Sequence, residues 1–262
     1  MASAAASVAS ATRPRIRVTN ILTIVLLTEG TSFMNNVQTE AMSVMNNVQE
    51  ESEHGSESGG RAEGAAGRRH RELREALLAA AERAISEAGL SGLKAREVAR
   101  EAGCALGAVY TAFADLDALV LAVNARTLDA LDAHLRSAQR PGADPVAQVV
   151  GLAEAYLDYA ARHRQRWAAL FRHSMAAGRE PPAWYSAKRA ELFRRAEGAI
   201  AALRPGLGGA ELAGLARSAF SAVHGVVSLG LDQKLAPMPE DMLRRELRLI
   251  AEAMARGLDA RG

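Results

Sequence analysis

The chain has 262 residues, of which 49% are hydrophobic and 24% charged, and its formal net charge is only +2. This near-neutral balance excludes a basic surface spread over the whole molecule, so any contact with nucleic acid must be local. The single cysteine excludes an internal disulfide and a cysteine-rich metal site, and it suits a cytoplasmic protein.

Residues 1–67 lack the pattern of a packed domain. The apolar run Ile21–Thr28 follows three arginines, as in a signal peptide, but it is short and no small-residue cleavage site follows, so secretion is not expected. The segment MNNVQ occurs twice, from Met34 and from Met45, before a polar, glycine-rich stretch. We predict either a disordered extension or a segment upstream of the true translation start.

Helical patterns follow, separated by short stretches that contain proline or glycine. The first places Leu77 and Ile85 on one face and ends at Gly89. No alternating strand pattern and no apolar run long enough for a bilayer is found, so no membrane is expected. We predict an all-α protein of about nine helices, with an N-terminal helix-turn-helix domain (68–125) and a C-terminal bundle (126–262).

The stretch REVAREAGCALGAVYTAF, Arg96–Phe113, has small residues where two crossing helices would meet. Ala99 permits close approach of the second helix, Gly103 tolerates a positive φ in the turn, and Val109 returns an apolar side chain. This spacing is typical of a helix-turn-helix. We interpret Cys104, in the turn, as a small buried apolar group.

The segment AAAERAISEAGLSGLKAREVAREAGCALGAVYTAF resembles the DNA-binding domain of the tetracycline repressor (TetR) family. The resemblance implies a recognition helix that begins near Ala105 and lies in the major groove, with Tyr110 and its neighbours at phosphates. It also implies a following helix that anchors this domain to a regulatory body. The predicted DNA-binding residues are Arg68, Arg69, Lys94, Arg96, Ala105, Leu106, Gly107, Ala108, Tyr110 and Thr111.

Three residues depart from the family pattern. Lys94 stands where many members have a capping serine or threonine, Ala112 replaces a histidine, and Leu116 replaces a lysine. Each change removes a potential phosphate contact, although the arginines of RRHR and Arg74 at the start of the first helix could compensate as a basic arm. A second interpretation therefore stays open, in which the chain is a helical interaction module with weak or lost DNA binding.

The stretch FSAVHGVVSLG resembles the Trp-x-x-x-His-Gly subclass of TetR C-terminal domains, with phenylalanine in place of the tryptophan. The aromatic residues of RWAALFRHSM predict core packing or a ligand pocket, and in this family the two overlap. The candidate ligand-binding residues are Trp167, Phe171, Phe220 and His224, with core packing as the alternative. His163 and His173 lack metal-ligand spacing, so no metal or cofactor is expected.

The last two helical patterns predict a dimer interface. One is apolar on more than one face, and the other has an apolar seam with near-heptad spacing. Two such helices from each partner would form a four-helix bundle. The predicted interface residues are Leu215, Val223, Val226, Leu243, Leu247, Ile250 and Met254.

These features together predict a homodimeric, ligand-responsive transcriptional repressor that binds a pseudo-palindromic operator in double-stranded DNA. An unidentified small-molecule inducer would favour a conformation of the dimer in which the spacing of the two DNA-binding domains does not match the operator. An enzyme is not expected, because the sequence shows no paired carboxylates in a plausible motif, no activated nucleophile and no phosphate-binding glycine loop.

Overall fold

The computed structural model describes residues 64–175, 179–234 and 236–259. The two MNNVQ segments and the apolar run before them lie outside these ranges. Within the described residues the chain forms nine α-helices, one 3-10 helix and no strand, which confirms the all-α prediction.

The helices follow one another with short connections. In chain order they are α1 (Ala65–Ala88), the 3-10 helix Leu90–Gly92, α2 (Ala95–Glu101), α3 (Leu106–Ala112), α4 (Leu116–Ala138), α5 (Pro145–Arg162), α6 (Arg164–Arg172), α7 (Ala183–Leu203), α8 (Gly209–Leu231) and α9 (Glu240–Asp259).

Several helix ends are determined by local residues. Gly89 ends α1 with φ +67°, a backbone conformation that glycine adopts readily. Asp115 caps α4, because its carboxylate accepts a hydrogen bond from the Ala118 N–H at 2.7 Å. Asp144 caps α5 in the same way, and Pro145 follows as the first helical residue.

The pattern from Pro145 predicts a helical run that continues past His163 to about residue 177, but the structure divides it into two helices. The break lies at His163, where φ is −122° and ψ is 38°, and the second helix, α6, ends at Arg172. The change of direction brings α6 against α1. Because no proline or glycine lies at the break, we attribute it to the packing of α6 against α1 and not to a local helix breaker.

Two of the four clusters of buried hydrophobic residues in the described part of the chain form the cores around the helix-turn-helix and the C-terminal helices. The N-terminal core joins α1, α2, α3 and the start of α4, and the C-terminal core joins α4, α5, α6, α8 and α9. The predicted domain boundary between residues 125 and 126 falls inside α4, whose Leu119 belongs to the first core and whose Leu131 belongs to the second. Likewise α6 places Ala169 in the first core and Trp167 in the second.

Candidate nucleic-acid interface and regulatory site

Helices α2 and α3 form the helix-turn-helix. Ala99 and Val109 are buried at their crossing, with exposures of 3% and 0%. Gly103 has φ +70°, and the next residue, Cys104, donates its N–H to the Ala99 carbonyl at 2.9 Å. The steric roles predicted for Ala99, Gly103 and Val109 are confirmed. Cys104 differs from its prediction, because it is half-buried at the rim of the core.

One face of α3 is open to solvent. Tyr110 is 51% exposed and Leu106 is 39% exposed, whereas Val109 and Ala112 turn into the N-terminal core. The predicted contact residues that share the open face are Ala105, Gly107 and Thr111, and Ala108 at its edge is half-buried. A helix held from one side and free on the other has the arrangement needed to enter a DNA groove.

The open face of α3 offers few side-chain hydrogen-bond groups. The hydroxyl of Thr111 donates to the carbonyl of Gly107 within the same helix, at 3.2 Å. Leu106 and Ala108 contribute apolar surface, which suits contact with thymine methyl groups. The polar side chains exposed on this face are therefore those of Tyr110 and Thr111, beside backbone groups and methyl surface.

Basic side chains at the start of α1 and around the start of α2 are exposed. The side chains predicted to contact phosphates are all exposed, namely Arg68, Arg69, Lys94 and Arg96. Lys94 is the N-cap residue of α2 in extended conformation, with φ −128°, and it makes no side-chain cap, as its departure from the family pattern predicts. Its side chain is exposed to solvent.

Arg74 has a different role from the one the sequence suggests. Its guanidinium donates to the carbonyl of Ala112 at 2.5 Å and lies 4.0 Å above the ring centroid of Phe113. The last carbonyl groups of a helix lack intrahelical partners, so this contact completes the C-terminal end of α3. Arg74 therefore fixes the recognition helix to α1 and does not belong to the basic arm.

The four predicted ligand-binding residues lie together in the C-terminal half. The ring centroid of His224 is 4.2 Å from Phe171, 5.2 Å from Trp167 and 5.7 Å from Phe220. Trp167 is buried, whereas Phe171 is 39% exposed and forms the open side of the group. The pattern of residues on α6 and α8 thus brings four rings to one place.

Two further rings join this group, and the sequence analysis missed both. Tyr156 of α5 lies 5.5 Å from Phe220, and Phe193 of α7 lies 5.1 Å from Phe220. No local signal distinguishes Tyr156 from Tyr159, the other buried tyrosine of α5, because only tertiary contacts select it. The aromatic cluster, as used below, comprises Tyr156, Trp167, Phe171, Phe193, Phe220 and His224.

A hydrogen bond lies inside the aromatic cluster. The Tyr156 hydroxyl is 2.8 Å from Nδ1 of His224. Burial lowers the pKa of His224 to about 4 and raises the pKa of Tyr156, so both side chains are uncharged at neutral pH. Among the described residues no group of three histidine, cysteine or carboxylate side chains is placed to hold a metal ion.

Helix α6, which carries Trp167 and Phe171 of the aromatic cluster, also contacts α1 and α4 of the N-terminal half. Arg166 forms an ion pair with Glu82 of α1 at 2.5 Å and donates to the Thr127 hydroxyl of α4 at 3.3 Å. Asn124 of α4, which is buried, donates to the carbonyl of Ala169 at 3.4 Å. Polar contacts therefore join α6 to both α1 and α4.

The predicted interface residues fall into two groups. Three of them pack inside the protomer with exposures of 8% or less, namely Val223, Leu243 and Leu247. They fill the C-terminal core, so they are not available to a partner chain in this conformation. Ile250 is 42% exposed, and the half-buried members are Leu215, Val226 and Met254. Large apolar side chains exposed on the same two helices, and missed by the prediction, are Leu229, Met242 and Leu249.

Helix α8 is unusually apolar for a helix with so much surface. It is the one single helix among the described residues that is long and apolar enough to cross a bilayer, with a window of mean hydropathy 1.3. Only 22% of that window is buried within the chain. The core helix of a water-exposed protein passes the same length and hydropathy criteria, so α8 by itself does not indicate a membrane protein.

Comparisons with known proteins agree with this geometry. Residues 77–123 match a family model described as bacterial regulatory proteins of the tetR family, and residues 149–254 match a tetracyclin repressor-like C-terminal domain. The matched C-terminal model does not specify the Trp-x-x-x-His-Gly subclass, which stays a prediction. No curated protein sequence matches the chain.

Solved structures share the fold at low sequence identity. A protein of unknown function from Rhodococcus sp. RHA1 is 24% identical, with a TM-score of 0.58 over 79% of this chain and 98% of the other. A tetR-family transcriptional regulator from Streptomyces coelicolor is 22% identical, with a TM-score of 0.57 over 73% and 84%. TetR from Acinetobacter baumannii AYE in complex with minocycline is 17% identical, with a TM-score of 0.52 over 70% and 94%.

The fold and the exposed recognition helix define a helix-turn-helix regulator and not an enzyme. With family matches in both the reading half and the C-terminal half, the chain belongs to the TetR family of transcriptional regulators. It is a DNA-binding regulator of transcription.

Proposed function

We propose that the protein is a ligand-responsive repressor that binds a pseudo-palindromic operator as a homodimer. The observation that carries the proposal is the two-sided environment of α3, whose Val109 is fully buried while Tyr110, the next residue, is 51% exposed. Such a helix is rigidly held and still accessible. The tests below separate repressor activity from the alternative of an interaction module.

DNA affinity in this proposal comes chiefly from phosphate contacts. The basic side chains at the start of α1 and at α2 are exposed, whereas the exposed face of α3 has few hydrogen-bond groups. Electrostatic contacts position the domain, whereas base-edge contacts specify the sequence. We therefore expect an affinity that depends strongly on salt and a modest preference for the operator over random duplex DNA.

Ligand response in this proposal runs through α6. The aromatic cluster includes Trp167 and Phe171 of this helix, while Arg166 and Ala169 of the same helix contact α1 and α4. A molecule that binds among the rings and prefers one position of α6 would shift the equilibrium between positions of the helix-turn-helix domain. The TetR structure with bound minocycline is consistent with ligand binding in this fold.

The homodimer in this proposal uses the uncovered apolar surface of α8 and α9. Within one chain only 22% of the apolar α8 window is buried, and Leu249 and Ile250 on α9 are more than two-fifths exposed. A second copy of the same surface would cover both helices by a two-fold axis. The interface that we propose is therefore centred on Leu229, Leu249 and Ile250, and the buried Leu243 and Leu247 support it from inside.

Salt-dependent DNA binding provides the test. We expect R68A/R69A/K94A to make the slope of log affinity against log salt shallower by about 5, since the homodimer loses three phosphate contacts on each half-site and each contact contributes about 0.9 to that slope. The matched control is R136A/R162A/R194A, which removes three exposed arginines from α4, α5 and α7. Fluorescence anisotropy with the DNA upstream of the gene measures both.

The outcome decides between the two functions. Equal slopes for the wild type and R68A/R69A/K94A would reject the phosphate contacts. Absence of binding by the wild type to any duplex, at salt concentrations down to about 50 mM, would favour the interaction module.

A further inference from the structure

We infer that the ligand of the aromatic cluster is a flat, uncharged molecule that carries a hydrogen-bond acceptor, of the aryl ketone type. The inference rests on the ligand response proposed above and names the class of molecule that the same cluster would take. Three separate features of the cluster support it: the shape of its surface, the lack of charge inside it, and an unused donor.

The shape of the cluster favours a flat molecule. Trp167, Phe171 and Phe220 surround His224, with centroid separations of 4.2–5.7 Å and ring planes inclined by 23–45°. These are the distances at which aromatic rings stack with an offset or meet edge to face. Phe171 is the member most exposed to solvent among the large apolar side chains of the cluster. A planar ligand that displaces the Phe171 ring would keep the same contacts with the remaining rings.

The interior of the cluster favours an uncharged molecule. The pKa of His224 is lowered by burial alone, and the pKa of Tyr156 is raised chiefly by burial, with no contribution from a charged side chain of the described residues. Three arginines are adjacent in the chain to members of the cluster: Arg166 is paired with Glu82, Arg172 is paired with Asp232 at 2.7 Å, and Arg194 is exposed. A carboxylate or ammonium group placed among the rings would therefore lose its hydration without gaining an ion pair.

An unused donor favours an acceptor on the ligand. The indole Nε1 of Trp167 is buried, and no described residue accepts a well-formed hydrogen bond from it. The neighbouring Tyr156 hydroxyl lies 2.8 Å from Nδ1 of His224, and the indole approaches this hydroxyl without reaching the geometry of a normal hydrogen bond. A buried donor without a partner is costly, so a ligand oxygen that reaches Trp167 gains more than the same oxygen would gain from water. A neutral carbonyl group supplies such an acceptor without bringing a charge.

A matched set of three naphthalenes tests the ligand class by isothermal titration calorimetry on the full chain. The set comprises 2-acetylnaphthalene, 2-ethylnaphthalene and 2-naphthoate, which share one ring system and differ in acceptor and charge. We expect the ketone to bind about threefold to tenfold more tightly than the ethyl compound, the range of one net hydrogen bond. We expect the carboxylate to bind at least tenfold more weakly than the ketone.

Two tryptophan variants locate the acceptor contact. W167F keeps an aromatic ring and removes the donor, so we expect the ketone to fall to the affinity of the ethyl compound. W184F removes the other tryptophan, which is 50% exposed on α7 and outside the cluster, and should change neither affinity. If W167F does not fold, the order of the three affinities on the wild type still decides the inference.

Each outcome has a defined meaning. Carboxylate affinity equal to or above that of the ketone overturns the uncharged ligand class. Equal affinities of the ketone and the ethyl compound would contradict the claim that the ligand carries a hydrogen-bond acceptor. If none of the three compounds produces a binding signal, the aromatic cluster is not the ligand site. Operator binding is measured by anisotropy on the same samples. If the protein binds the operator but none of the naphthalenes, the ligand class is wrong and the repressor function still stands. If the protein does not bind DNA, the repressor function itself is contradicted.

Discussion

At the scale of single residues, Gly103 determines the geometry of the turn before the recognition helix. Its φ is +70°, and a Cβ added there would meet no atom within 4 Å, so the cost of a side chain is conformational and not steric. Gly103→Ala should lower the free energy of unfolding by about 1–2 kcal/mol. Urea denaturation followed by circular dichroism measures the change.

Gly107 in α3 provides the matched control, because it also has open space for a Cβ but lies inside a helix without a positive φ. Gly107→Ala should raise the free energy of unfolding by roughly 0.5–1 kcal/mol. Shifts of the same sign in both variants would contradict the conformational explanation.

His224 should make the stability of the protein depend on pH. Burial lowers its pKa from 6.5 to about 4, so the unfolded chain binds more protons than the folded chain between these values. Stability from this residue is fully present above pH 6.5 and is lost as pH falls towards 4. We expect a loss of about 2 kcal/mol between pH 7 and pH 5 from His224 alone.

His224→Gln isolates this contribution. The variant should lose less stability on acidification than the wild type, because glutamine does not titrate, while the shifted His163 and His173 remain in both proteins. Urea denaturation at pH 7, 6 and 5 compares the two. Parallel pH profiles would show that the imidazole is not buried in solution.

At the scale of elements, the end of α3 depends on Arg74 of α1. Because its guanidinium contacts the Ala112 carbonyl and the Phe113 ring, Arg74→Gln should destabilise the domain by about 1 kcal/mol and leave the salt slope of DNA binding unchanged. Arg69→Gln, at an exposed arginine, should do the reverse and make the slope shallower by about 1.8, because the homodimer loses one phosphate contact on each half-site. Unfolding and anisotropy on both variants decide the assignment. A shallower salt dependence of DNA affinity for the Arg74 variant would show that Arg74 contacts phosphates.

At the scale of the whole molecule, the uncovered surface of α8 and α9 should determine the oligomeric state. Ile250 is 42% exposed in one chain, and a lysine there would place a charge in the proposed interface. Ile250→Lys should raise the dimer dissociation constant by on the order of thirtyfold or more, which corresponds to about 2 kcal/mol.

Analytical ultracentrifugation measures this change, and Trp184→Lys is the control. Trp184 is a similarly exposed apolar residue on α7, away from the proposed interface, so its variant should leave the dissociation constant unchanged. Equal effects of the two lysines, or a wild type that is monomeric at micromolar concentration, would contradict the proposed dimer.

The sequence predicts those features that depend on local chemistry. Gly89 at the end of α1 and Gly103 in the turn were predicted, because a positive φ depends on the residue itself and its immediate neighbours. The break at His163 and the role of Arg74 were not predictable, since each depends on contacts between distant helices.

The apolar seam of α9 shows the same limit at the candidate interface. Periodicity identifies an apolar stripe, but it does not say whether that stripe meets the chain's own core or a partner. In the structure Leu247 meets the core, whereas Leu249 and Ile250 remain exposed beside it. The aromatic rings of α6 and α8 were grouped correctly, while Tyr156 and Phe193 required the tertiary structure.

The placement of α6 in both cores has a consequence for how such a regulator can acquire new effectors. In the proposed mechanism, a substitution at Trp167 or Ala169 changes the packing of a helix that both cores share, so we expect it to alter operator affinity even before any small molecule is present. Phe193 and Phe220 stand on α7 and α8, which contribute no buried residue to the N-terminal core. Selection for a new effector should therefore change these two phenylalanines first and retain the side chains of α6.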